Sequence, residues 1–132
     1  MILYIALGSA LGGVARYVIG GWVQRATDTP FPTGTLVVNV TGSLLLGVLA
    51  RTVLVTPGMS PEMRALLTIG FCGGYTTFST FSLVTVQLLE KGQLGRAVLN
   101  ALASVVLSLV ALWVGYVLAR GLFGGRAFPG SA

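Results

Sequence analysis

The chain has 132 residues, 55% of them hydrophobic and 8% charged, with 19 glycines and a net charge of +5. A composition this apolar marks an integral membrane protein rather than a soluble domain. There is no histidine, the carboxylates Asp28, Glu62 and Glu90 fall at span ends or in loops, and the lone Cys72 has no partner in the chain. An intramembrane acid–base pair, a disulfide within one chain and a side-chain metal cluster are thereby excluded, and the chain is not read as an enzyme.

A hydrocarbon core about 30 Å thick takes about 20 helical residues to cross, so this length holds at most four or five spans and no separate soluble domain; the chain reads as a single four-span domain, residues 1–132. The opening Met1-Ile2-Leu3-Tyr4-Ile5 lacks the basic leader of a signal peptide and is read as retained. The first span, residues 2–23, carries Gly8 and Gly12 at a spacing that lets helices approach closely. Its unusual member is Arg16, whose guanidinium costs at least about 2.5 kcal/mol at the bilayer centre unless it snorkels or finds carbonyls or water. Two readings stand: an arginine reaching toward the interface beside Tyr17 and Trp22, or a fixed positive charge near an aqueous entrance for anions.

A polar loop with two prolines leads to the second span, residues 33–51. Along it Thr35, Asn39, Ser43 and Gly47 recur every fourth residue and form a slowly drifting stripe that does not look at lipid. Asn39 reads either as an amide gluing two helices together, worth about 0.6 kcal/mol on average, or as a pore-lining donor.

The third span starts at Ser60-Pro61-Glu62, a cap, a first-turn proline and an early acid. It continues to Glu90, about 45 Å if unbroken, which exceeds the bilayer core. In its middle stands Gly70-Phe71-Cys72-Gly73-Gly74-Tyr75-Thr76-Thr77-Phe78-Ser79-Thr80-Phe81. Glycine costs about 1 kcal/mol relative to alanine in a helix and the threonines add to that, so the sequence predicts a break at residues 73–77. In lipid, the peptide groups freed there must be buried in protein or line a cavity, because each unpaired one costs several kcal/mol. The glycine pair is not a phosphate loop, since no Gly-Lys-Ser or Gly-Lys-Thr follows it, and Cys72 reads as a small packing residue. By spacing alone Phe78 and Phe81 read as ordinary packing on one helix face.

The last span, residues 94–122, repeats Asn100, Ser104 and Ser108 every fourth residue, either as close-packing contacts or as a polar lining. Basic residues near span ends divide almost evenly, Arg51, Arg64, Arg120 and Arg126 on one side against Arg25, Lys91 and Arg96 on the other. The positive-inside rule then fixes no orientation. A chain that inserts both ways can pair antiparallel with a second copy, and four helices are too few to enclose a water path with its supporting shell.

The stretch Gly34-Thr35-Leu36-Val37-Val38-Asn39-Val40-Thr41-Gly42, taken with Gly70 to Ser82, resembles the Fluc (CrcB) family of fluoride channels. The resemblance covers the whole four-span layout. It implies an all-α membrane protein with a broken third helix, assembled as an antiparallel dual-topology homodimer in the bacterial inner membrane. It further implies two pores per dimer that export fluoride, and a structural sodium ion (Na+) at the dimer centre held by the backbone carbonyls of Gly73 and Thr76. The family's pore aromatics fall on Phe78 and Phe81, its amide on Asn39 and its hydroxyl track on Ser79, with Thr35 nearby. Carry-over to Asn100, Ser104 and Ser108 rests on spacing, and Arg16 matches the family's first-span arginine. Val84 stands where many members carry a glutamate, a departure that bears on any acidic vestibule contact and leaves the central motif intact.

The chemistry is compatible with that implication. Two rings presenting their positive edges stabilise an anion without a full charge that would trap it, while Asn39, Ser79 and Thr35 donate hydrogen bonds in place of lost water. Carbonyl oxygens freed at a break are hard ligands suited to a hard cation. Two rival classes remain open: a dual-topology proton-coupled exporter of the small multidrug type, which needs a titratable group inside the membrane, usually a buried glutamate, and this chain has no such glutamate, and a non-transporting assembly subunit.

Overall fold

Long apolar stretches with hydrophobic residues all round need no polar face when lipid surrounds them. Three such stretches form uninterrupted helices long and apolar enough to cross a membrane: α1 (Ile2–Thr27), α2 (Thr33–Thr52) and α6 (Leu94–Phe123). The computed structural model describes residues 1–53 and 56–123, and among these there is no strand. Arg126 and the rest of residues 124–132 lie outside the described residues.

Helix α1 runs past the expected residue 23 to Thr27 and ends at Asp28 in the left-handed conformation, φ 40° and ψ 49°. The cause lies in Gln24. Its Nε2 donates to the carbonyls of Thr29 at 2.8 Å and Phe31 at 3.1 Å, while its Oε1 accepts the Gly34 N–H at 3.1 Å. One side chain in the last turn of α1 thus ties the loop to the first turn of α2.

The third span begins as the sequence predicts, with Ser60 Oγ accepting the Met63 N–H at 3.2 Å and Pro61 and Glu62 in the first turn. Helices α3 (Pro61–Ala65) and α4 (Gly73–Tyr75) are joined by a π-helical stretch, Leu66–Cys72, into one rod, since Leu66 and Gly73 keep right-handed helical dihedrals. The rod stops at Thr76 (φ −80°, ψ 158°) and Thr77 (φ −150°, ψ 112°), both extended. Helix α5 (Phe78–Glu90) follows, and Lys91-Gly92 turns the chain into α6, with Gly92 at φ 70°.

The third span is therefore broken, but the two glycines are not what breaks it. Both are helical, and the interruption is confined to Thr76 and Thr77. Gly74 is small because Ser9 of α1 lies against it: an added Cβ would come within 2.8 Å of the Ser9 Cα. At Gly73 the same atom would meet nothing within 4 Å.

Small residues set the remaining contacts. Gly8 and Gly12 bring α1 onto the rod, Gly47 and Gly115 bring α2 and α6 backbone to backbone, and α5 rests on α6. Few large side chains are buried, Val38, Tyr75 and Leu88 among them, while Leu3, Val14, Trp22, Leu102 and Trp113 face outward.

Candidate functional site

The peptide groups released at Thr76 and Thr77 each have an identifiable partner. Asn39 on α2 clasps Thr77 from both sides, its Nδ2 donating to the Thr77 carbonyl at 3.1 Å and its Oδ1 accepting the Thr77 N–H at 2.8 Å. Thr77 Oγ1 in turn accepts the Thr80 N–H at 3.1 Å and so caps α5. Arg16 Nη1 donates to the Thr76 carbonyl at 3.4 Å. Arg16 thus reaches inward to the break rather than outward to the interface, and the carbonyl is one of the partners an intramembrane guanidinium requires.

A second anchor escaped the sequence analysis. Tyr75, stacked on Phe71 with ring centroids 6.0 Å apart, places its hydroxyl 2.9 Å from Thr41 Oγ1 of α2. Gly42 lies beneath this contact, where a Cβ would run into the Thr76 methyl and come within 2.8 Å of the Tyr75 ring. The Thr41-Gly42 pair is visible in the sequence, but only packing reveals what it supports.

Two cavities meet at Thr77. The smaller, about 320 Å³, is lined by Asn39, Ser43, Thr76, Phe78, Phe81, Ser104 and Ser108 among others. The Phe78 and Phe81 rings lie 5.3 Å apart and tilted by 43°, and Phe78 is 77% exposed in the single chain. The larger, about 590 Å³, is lined by Arg16, Arg25, Lys91, Gln24, Gln87, Thr35 and Thr80, with no carboxylate on its wall. Arg16 and Thr35 therefore sit together on the basic side of the break. Thr35 is not on the wall that carries Asn39 and Ser43, so the predicted stripe divides between two cavities, and Gly47 belongs to the α2–α6 contact. Ser79 lines neither cavity and lies 3.3 Å from Thr77 Oγ1. Asn100, fully buried, stands behind the wall of the smaller cavity.

Among the described residues no cluster of histidine, cysteine or carboxylate could hold a metal ion. The backbone offers a different donor set. In an α-helix each carbonyl accepts from the N–H four residues on, and the Thr77 N–H that would serve Gly73 is turned to Asn39. The Gly73 carbonyl is left a hard acceptor beside an open face. The Thr76 carbonyl carries only the long contact to Arg16, and a carbonyl has a second lone pair. Two such oxygens suit a hard cation in kind, but are too few in number unless a second chain contributes its own.

An apolar helical protein with a broken span, a basic cavity and a ring-lined cavity belongs to the class of multi-pass membrane proteins. Residues 3–116 match the family described as CrcB-like protein, Camphor Resistance (CrcB), and the chain belongs to that family. It is 52% identical over 121 residues to the fluoride-specific ion channel FluC of Geobacter sulfurreducens, covering 92% of this chain and 98% of the relative. The protein of the same name from Rhizobium meliloti is 48% identical over 121 residues, 92% of this chain and 97% of the relative. That from Geobacter metallireducens is 49% identical over 121 residues, 92% of this chain and 98% of the relative. The family is one of ion channels and not of enzymes, and the chain resides in the bacterial plasma membrane.

Proposed function

We propose that two copies of this chain, inserted antiparallel, form a passive fluoride channel with two pores that releases fluoride from the cell. The smaller cavity carries the reading, because there Phe78 and Phe81 converge with Asn39, Ser43, Ser104 and Ser108 on the break. The names of the relatives point to fluoride as the ion.

On this reading Arg16, Arg25 and Lys91 raise the anion concentration in the larger cavity, as a basic cleft with low-dielectric walls does. An ion that moves past Thr77 trades water for hydroxyls at Ser43, Ser104 and Ser108 and for the Asn39 amide hydrogen not spent on Thr77. Ring edges at Phe78 and Phe81 hold it weakly enough to let it leave. A small, strongly hydrated anion gains most from donors this close. Thr35 serves the approach to the break, Ser79 rests against the Thr77 hydroxyl beside it, and Asn100 supports the wall.

The exposed Phe78 and the open face at Gly73 are where the second copy fits. Na+ would sit between the two breaks on the Gly73 and Thr76 carbonyls of both chains, where its role is to hold them together. The chemistry it supplies is electrostatic alone.

Vesicles containing only this chain test the reading. Fluoride efflux should follow an imposed membrane potential and stay unchanged when the proton gradient is collapsed. An efflux that vanishes with the proton gradient would instead indicate a coupled exporter.

A further inference from the structure

Asn100 is 0% exposed and lines neither cavity, and its amide is hydrogen-bonded at both its nitrogen and its oxygen. Its Nδ2 donates to Thr85 Oγ1 of α5 at 2.9 Å, and Thr85 Oγ1 donates to the Phe81 carbonyl at 2.7 Å. Its Oδ1 accepts the Ser104 hydroxyl at 3.4 Å. Every donor in this chain points the same way, from the cavity wall at Ser104 through Asn100 and Thr85 to the backbone of Phe81.

The two halves of the chain differ in strength. The contacts through Thr85 are short and fix α5 against α6, whereas 3.4 Å exceeds the usual range of about 2.5–3.0 Å for a hydroxyl donor and marks a weak contact that is easily given up. A serine hydroxyl rotates freely about its own bond, and a hydrogen bond to an ion is roughly twice as strong as one between neutral groups. An anion in the cavity therefore outbids the Asn100 oxygen for the Ser104 hydrogen.

We propose that Asn100 is a positioning residue for the anion path: it holds the Ser104 hydroxyl hydrogen while the cavity is empty, and releases it to a passing anion. Through Thr85 the same amide holds α5 against α6, so the Ser104 hydroxyl keeps its place beside the helix that carries Phe81. The inference rests on the channel reading and adds to it a residue that never touches the ion.

The test is a double-mutant cycle on fluoride efflux from vesicles, with dimer content checked by size exclusion. Ser104→Ala in the native background should slow efflux roughly five- to tenfold, the scale of one hydrogen bond. In an Asn100→Leu background the same change should alter the rate by less than about twofold, because the two residues act as one unit. Thr85→Val with Ser104→Ala, a pair that meets only through Asn100, provides the second cycle if Asn100→Leu fails to assemble. Coupling there should again reduce the Ser104→Ala effect. Rates that multiply independently in the cycle measured would overturn the positioning role while leaving the channel intact. Absence of fluoride efflux from the native protein would overturn the channel reading and this inference together.

Discussion

Asn39 illustrates how one side chain can decide the local energetics. Thr77 is 7% exposed, and both its peptide groups depend on the same amide. Leaving a buried backbone group unpaired costs about 1–3 kcal/mol, so Asn39→Ala should lower stability by about 2 kcal/mol or more, read as a reduced melting temperature in detergent. A melting temperature equal to that of the native protein would show that water or a neighbour replaces the amide at no cost. The phenylalanines make a contrasting case. Phe78 is exposed in the single chain and Phe81 is half-buried, so Phe78→Ile should leave the fold of the chain intact whereas Phe81→Ile should weaken it slightly. Both should slow fluoride efflux with the dimer retained, and unchanged rates would return the rings to plain packing.

At the scale of helices, the two adjacent glycines should behave differently. Gly74→Ala drives a Cβ into the Ser9 backbone and should destabilise the α1 contact by about 1–3 kcal/mol, the range for overpacking. Gly73→Ala meets nothing within the chain and, at a helical position, should leave its stability unchanged or raise it by up to about 1 kcal/mol. Equal losses in thermal unfolding would contradict this division. It also explains what could be read in advance. Span length and the cap at Ser60 depend on local composition, so the four-span layout and an interrupted third span were legible from residues 61–90. The interruption falls inside the predicted 73–77 window, but its confinement to Thr76 and Thr77 was not legible, because α1 packing holds Gly73 and Gly74 in a helix. The clasp from Asn39, the reach of Arg16 to Thr76 and the withdrawal of Asn100 behind the cavity wall all join segments far apart in sequence. Helical spacing places such residues on a face, but does not say which neighbour the face meets.

For the whole molecule, the outward side chains and the open face at Gly73 need lipid or a second copy to cover them. If Na+ joins the two breaks, exchanging sodium for N-methylglucamine should shift the purified protein from dimer to monomer in size exclusion. A dimer indifferent to the exchange would remove the ion from the account. On the proposed reading, Arg16, Arg25 and Lys91 on one cavity wall, with no carboxylate beside them, would attract anions of every kind, which assigns selectivity to the rings and hydroxyls beyond. The most direct measurement is therefore side-by-side efflux of fluoride and chloride from vesicles holding only this chain. Fluoride should leave while chloride stays trapped over the same interval. Equal release of both ions, or of neither, would contradict the account.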